Sequence, residues 1–238
     1  MRTLVLYVLH ELNDNVRYFC SNAIFKHSDI DFMIIINNPE LNISNIVPEY
    51  VSVINRENVG WDFGAWSYGL LTNNIYKNYD YFVFVNSSVI GPYLPPDISK
   101  EDWVGLFVEP IKTRVNNIRL FGSTINTIQD PVNKSHIQSY AYSCDKEILE
   151  FLINKGIFSI TNYVKTYWDA IFQREIKMSR LVIENGWNIG SFLRWTRFAN
   201  FCCKYDYNKL LYKYENISFN QYRNKLWNDY EVIFVKSK

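Results

Sequence analysis

The sequence predicts an α/β fold: a mainly parallel central sheet flanked by helices, with additional antiparallel strands in the second half. Strand and helix patterns alternate as far as Pro96, as βαβ units require. After Pro96 the alternation breaks down, and strand-like runs are separated by short polar segments of hairpin length. Polar residues also collect at the ends of the apolar runs. Those ends are the edge of an open parallel sheet at which ligands bind.

Taken in order, Thr3 to Leu9 is a first strand and Val16 to Phe25 a helix with Val16, Phe19, Cys20 and Ile24 on one face. Asp31 to Ile36 is a second strand, ended by Asn37-Asn38-Pro39, and Val51 to Ile54 a third. Arg56, Glu57, Asn58, Gly60, Asp62 and Gly64 then form a polar loop, from which Ala65 to Leu71 continues as a helix. Tyr81 to Val85 is an apolar, β-branched and aromatic run suited to a strand covered on both faces. It stops at Asn86, Ser87 and Ser88, before Gly91-Pro92 and Pro95-Pro96 impose irregular chain. The ends at Leu9, Asn37, Asn55 and Asn86 are expected to share one edge.

In the second half, Trp103 to Val108, Ile118 to Thr124 and His136 to Tyr142 read as strands. Asp145 is placed to cap a helix over Lys146 to Lys155, stopped by Gly156. Asn162 is a candidate cap for a helical pattern from Tyr163 to Asn185, closed by Gly186. Gly190 to Phe201 reads as a further helical piece and Glu231 to Val235 as a last strand. No repeat, low-complexity tract or linker divides the chain, so residues 1–238 are taken as one domain.

Hydrophobic content of 48% and aromatic content of 17% exclude a disordered chain. A net charge of +1 without a basic stripe argues against nucleic acid and against polybasic docking to membranes. No apolar run approaches the roughly 20 residues of a transmembrane segment, and the apolar start is interrupted by His10, Glu11 and Asn13 before it reaches signal-peptide length. The four cysteines lack CxxC spacing and read as reduced thiols, which points to a cytoplasmic protein.

Asn58 to Gly64 is not a GxGxxG fingerprint, because its glycines stand four apart with Trp61 and Phe63 between them. That disfavours a nicotinamide-dependent oxidoreductase. Gly60 and Gly64 permit close backbone approach, and Asp62 either accepts hydrogen bonds from a base or sugar or caps the helix that follows. Metal-dependent sugar transfer commonly places an Asp-x-Asp pair after a buried strand, where hard oxygens hold Mg²⁺ or Mn²⁺ against a diphosphate. Here that place carries Asn86-Ser87-Ser88. Either the ion is held mainly by the diphosphate or the site uses hydrogen bonds alone. His136 reads as a structural histidine or as a residue reaching a phosphate. Glu175, between Arg174 and Ile176, offers the single carboxylate that an inverting transfer needs as its base, although local sequence on its own favours a solvated helix residue.

Five blocks in order, RENVGWDFGAW, YDYFVFVNSSVIGPYLP, HIQSYAYSCDKEILEFLINKGI, REIKMSRLVIENGWNI and YEVIFVKSK, resemble the motifs of GT-A-type (Rossmann-like) glycosyltransferases. The relatives are the rhamnan-synthesis proteins of bacterial polysaccharide clusters and the rhamnosyltransferase domains of large DNA viruses. The resemblance implies transfer of a sugar, L-rhamnose by analogy, from a UDP or dTDP donor to a glycan acceptor. Residues 1–96 would form the nucleotide-binding half and 97–238 the acceptor and catalytic half. It implies nucleotide-sugar contacts from Tyr7, Val8, Leu9, Arg56, Asn58, Gly60 and Asp62. Asn86, Ser87 and Ser88 fall at the Asp-x-Asp place, His136 and Gln138 border the diphosphate or sugar, and Glu175 is the base. The missing carboxylate pair leaves a second reading, a catalytically silent nucleotide- or glycan-binding module. Trp187, Phe192, Trp195, Tyr205, Tyr207 and Tyr212 are candidates for an acceptor groove or for core.

Overall fold

The structure is a computed structural model that describes residues 1–126, 135–197, 199–203 and 228–236. Its first half runs β1 (Thr3–Leu9), α1 (Asp14–Asn22), β2 (Ile30–Ile36), β3 (Ser52–Asn55), α2 (Trp61–Leu71), β4 (Tyr81–Asn86) and β5 (Val89–Ile90). The second half runs α3 (Trp103–Lys112), β6 (Ile118–Gly122), β7 (Ile125–Asn126), β8 (His136–Ile137), β9 (Ala141–Asp145) and α4 (Lys146–Asn154). There follow α5 (Tyr167–Ala170), a π-helical turn (Ile171–Ile176), α6 (Lys177–Glu184), β10 (Asn188–Ser191), α7 (Asp229–Val232) and β11 (Val235–Lys236).

Seven strands form one sheet in the order β10-β6-β9-β4-β1-β2-β3. The neighbours β4-β1-β2-β3 and β10-β6 pair in parallel, whereas β9 runs antiparallel to both β4 and β6. The mixed α/β fold and its mainly parallel sheet are therefore as the sequence predicts. The register sets Leu9 beside Ile36, Ile36 beside Asn55 and Val8 beside Asn86, so the four strand ends share one edge as expected.

Strand β1 is central and wholly buried, and its side chains divide by the two-residue period. Leu4, Leu6 and Val8 enter one core with Phe63, Ala65, Trp66 and Leu70 of α2, Leu149 of α4 and Met178 and Val182 of α6. Val5, Tyr7 and Leu9 enter the opposite core with Val16 and Phe19 of α1 and Trp103 and Phe107 of α3. Each such aliphatic or aromatic side chain stabilises the fold by about 1.5–3 kcal/mol on full burial. This two-sided demand explains a strand that is continuously apolar.

Five sequence expectations of secondary structure are corrected, four here and one below. Trp103 to Val108 is helix α3, because Trp103, Val104, Phe107, Val108 and Ile111 follow the helical period and all are buried, with Trp103 Nε1 donating to the Ala23 carbonyl at 2.9 Å. Gly190 lies in edge strand β10, where a Cβ would stand 2.7 Å from Ile118 Cδ1; a short 3₁₀ turn, Arg194–Thr196, follows instead of a longer helix. Glu231 belongs to the helical turn α7, capped by Asn228, and only Val235 and Lys236 pair as a strand. The cap before Glu175's helix is Thr166, which accepts from the Asp169 N–H at 3.1 Å, while the Asn162 carbonyl accepts from Arg174.

The expected strand His136 to Tyr142 is two strands, β8 and β9, separated by Gln138 to Tyr140. Asp145 does cap α4, accepting from the Ile148 N–H at 2.9 Å. Trp187 packs over the Arg119 guanidinium, and Phe192 packs edge-on against Phe107 and Phe121, so both serve the packing of the fold. Tyr205, Tyr207, Tyr212 and the Trp195 side chain lie outside the described residues. All four cysteines are free thiols; Cys20 and Cys144 are buried.

Candidate active site

A cleft of about 360 Å³ opens at the carboxyl edge of the sheet. It is lined from the α2 side by Trp61, Asp62 and Phe63, from the end of β4 by Asn86 and Ser88, and from the β8–β9 connection by Gln138, Ser139 and Tyr140. The far wall is Tyr167, Ala170, Ile171 and Glu175, and Lys236 of β11 completes it. Five of the sequence-derived site residues, Asp62, Asn86, Ser88, Gln138 and Glu175, thus meet in one place.

The loop before α2 is shaped by backbone that few residues tolerate. Gly60 has φ of +78° and Trp61 φ of +51°, and a Cβ on Gly64 would stand 2.1 Å from the Val59 carbonyl oxygen. Arg56 holds this loop from behind: it donates to Asn37 Oδ1 and, at 2.8 Å, to the Val59 carbonyl, with the rings of Tyr68 and Tyr163 each 5.7 Å away. Burial lowers the pKa of its guanidinium. Asn58 and Gly60 line a neighbouring cavity of about 490 Å³ that meets the first at Trp61.

Asp62 stands in the first turn of α2 and accepts from Asn86 Nδ2 at 2.7 Å. Asn86 Oδ1 in turn accepts from the Ser88 N–H at 3.1 Å and from Ser88 Oγ at 2.6 Å. Ser87 is not among the residues that line the cleft; its N–H donates to the Val8 carbonyl and its carbonyl accepts from Asn15 Nδ2. Tyr7, Val8 and Leu9 are buried along β1 and line none of this cleft. Tyr7 stacks on Phe19 with ring centroids 3.9 Å apart.

Glu175 stands four residues after Ile171 and eight after Tyr167, the spacing of one helical face, and all three line the cleft; the π turn Ile171–Ile176 spans this stretch. Glu175 Oε2 accepts from the Ser139 N–H at 2.7 Å and from Ser139 Oγ, and its Oε1 lies 3.4 Å from His136 Nε2. His136 is buried behind Glu175 and does not itself line the cleft. Gln138 does line it, and its Oε1 accepts from Thr124 Oγ1 at 2.7 Å.

The two carboxylates are tuned apart. Burial pushes Asp62 up to about 6, with Glu175 adding to the rise and the Asn86 bond and the Lys236 charge opposing it. Burial also pushes Glu175 upward, but the bond to His136 and its charge, with the two bonds from Ser139, hold it below the ordinary value. Glu175 is therefore anionic at neutral pH, with its side chain 20% exposed.

The donor set does not suit a resident divalent cation. Hard cations ask for a cluster of free oxygens. Here the Asn86 amide is engaged at both ends, by Asp62 and by Ser88, and Glu175 is bonded to Ser139 and paired with His136. Among the described residues no group of three or more His, Cys, Asp or Glu is placed to hold a metal ion. Positive charge is supplied instead by Lys236, the single lysine or arginine among the described residues that line the cleft. Sequence reasoning missed it, although EVIFVK was there to see. Its place depends on β11 pairing with β5, Lys236 opposite Val89, and thus on a contact between remote segments.

No helix among the described residues is long and apolar enough to cross a membrane. No curated protein matches the chain. Among solved structures, a protein described as a nucleotide-diphospho-sugar transferase from Desulfovibrio desulfuricans G20 is 13% identical, over 98% of this chain and 94% of that one, with a TM-score of 0.45. A mycobacterial protein is 15% identical, over 62% of this chain and 55% of that one, with a TM-score of 0.42. The rhamnan synthesis protein F family matches residues 33–217, well over half of the sequence, and the chain belongs to that family.

Proposed function

We propose that the protein is a glycosyltransferase that moves a sugar, L-rhamnose by family analogy, from a UDP or dTDP donor to a hydroxyl of a glycan acceptor. The observation that carries this reading is the convergence of Asp62, Asn86, Glu175 and Lys236 on one cleft at the carboxyl edge of a parallel sheet. Membership of the rhamnan-synthesis family supports the same class of chemistry.

In this reading Glu175 takes the proton from the acceptor hydroxyl as its oxygen attacks the anomeric carbon. The bond from that carbon to the diphosphate oxygen breaks, and the electron pair leaves with the nucleoside diphosphate. Lys236 offsets the charge that develops on the leaving group, a role for which a preorganised cation is well suited. His136 and Ser139 fix the Glu175 carboxylate. Asp62 and Asn86 present hydrogen-bonding groups to the donor from the α2 and β4 ends.

Titration calorimetry with UDP, dTDP and GDP, each with Mn²⁺ and with a chelator, tests the donor. Binding of one uracil or thymine diphosphate, with an affinity indifferent to Mn²⁺, is expected. Strong dependence on Mn²⁺ would refute the part given to Lys236. The silent-module reading is favoured by the absence of an Asp-x-Asp pair at Asn86 to Ser88; donor hydrolysis above a no-enzyme control would dispose of it.

A further inference from the structure

Beside the cleft three large aromatic side chains stand in solvent: Tyr167 is 60% exposed, Trp168 64% and Phe172 52%. They belong to the helix that carries Glu175. Trp168 and Phe172 lie nearly parallel, with centroids 6.2 Å apart and an interplanar angle of 27°, and Tyr167 meets Trp168 edge-on at 5.7 Å. Tyr167 also lines the cleft, so the ridge is continuous with it.

We propose that this ridge is the acceptor site, a stacking platform for the pyranose rings of a glycan whose terminal hydroxyl is delivered to Glu175. The inference rests on the reading of the cleft as a site of sugar transfer. Glu175 stands on the far wall of the cleft, and the exposed faces that continue from that wall along its own helix are aromatic. Flat rings in parallel array suit the apolar C–H faces of sugars, and hydroxyls ask for carboxylate and amide partners beside them. Asp169 and Gln173 provide these, joined by a 2.6 Å hydrogen bond, with Thr166 Oγ1 donating to Asp169 at 2.7 Å. The carboxylate also argues against insertion of the ridge into lipid, where a buried charge would be costly.

The test compares wild type with the double variant Trp168→Ala, Phe172→Ala and with Trp168→Tyr. All replace exposed side chains, so folding should be retained. Rhamnose-rich oligosaccharides of increasing length are titrated by calorimetry, with UDP and dTDP titrated in parallel. The expected result is a loss of oligosaccharide affinity of tenfold or more in the double variant, partial recovery in Trp168→Tyr, and unchanged nucleotide affinity in both. Equal oligosaccharide binding by wild type and the double variant would overturn the platform, as would no binding by wild type. Binding of wild type to phosphatidylglycerol vesicles that the double variant loses, or self-association that it loses in sedimentation, would assign the ridge to another partner and overturn it too. A wild type that binds oligosaccharide through the ridge but binds no nucleotide would uphold the platform and overturn the transferase reading.

Discussion

Replacing Asp62 by Asn should make the protein more stable at neutral pH. The folded form holds the Asp62 proton up to about pH 6, whereas an unfolded chain releases it near 3.8. Between those values the folded state binds more protons than the unfolded one, so this group lowers stability as pH rises. A displacement of about two pH units corresponds to roughly 3 kcal/mol once both states are ionised, and at pH 4.5 about 1 kcal/mol of that cost remains. The amide introduced by Asp62→Asn would keep a carbonyl oxygen to accept from Asn86 and would carry no such cost. The stability of Asp62→Asn relative to wild type should therefore increase by about 2 kcal/mol between pH 4.5 and pH 8, or about 1 M in urea midpoint at an m-value near 2 kcal/mol/M. Using the difference between two pH values removes any constant effect of the altered packing. Urea denaturation followed by tryptophan fluorescence reads it directly. A relative stability that does not change with pH would refute the assignment of a strained, charged Asp62.

Three further outcomes are expected. Glu175→Gln should lower turnover by about 10²- to 10⁴-fold, the range of a general base, while nucleotide affinity changes little; full activity would remove Glu175 from the mechanism. Lys236→Met should weaken UDP or dTDP by about 10- to 100-fold, as expected for loss of a charge-assisted bond, and leave the bare nucleoside unaffected; equal weakening of both would show a folding defect instead. His136→Leu should raise the Glu175 carboxyl by removing a bond and a charge that hold it down, so the acidic limb of the turnover–pH profile should move to higher pH. An unmoved limb would mean that another group sets it.

The legible parts of the sequence were those fixed by local pattern. The strand Thr3 to Leu9 is apolar at nearly every position, and its place between two covering layers follows from that alone. Asp145 announces its helix because a capping side chain acts three residues away. Asn86 and Asp62 could be shortlisted because parallel strands bring their carboxyl ends to one edge, whereas Glu175 was singled out by the resemblance of its block to family motifs and not by local pattern. What stayed hidden depends on remote contacts or on small shifts of phase. Trp103 to Val108 contains the helical period, but six largely apolar residues also fit a strand, and only burial against Phe19 and Phe234 decides between them. The ladder that brings Lys236 to the cleft joins residues almost 150 positions apart. The π turn before α6 likewise leaves no mark in composition.

The two carboxylates of the cleft show why its electrostatics favour a division of labour. Both suffer desolvation, which on its own would drive both toward the neutral acid. Glu175 is given more hydrogen-bond donors than the penalty demands, from Ser139 twice and from His136, and it stays ionised. Asp62 is given one amide bond and a nearby lysine, too little to restore its ordinary value. Environments that push paired acids apart are how one site keeps a base ready beside a group able to hold a proton. When an anionic diphosphate enters beside Asp62, its charge must push that carboxyl higher still. The donor should therefore bind with uptake of a proton near neutral pH, and its observed binding enthalpy should vary with the ionisation enthalpy of the buffer. A binding enthalpy independent of buffer would place the diphosphate away from Asp62 and return the carboxylate to its structural part as the partner of Asn86.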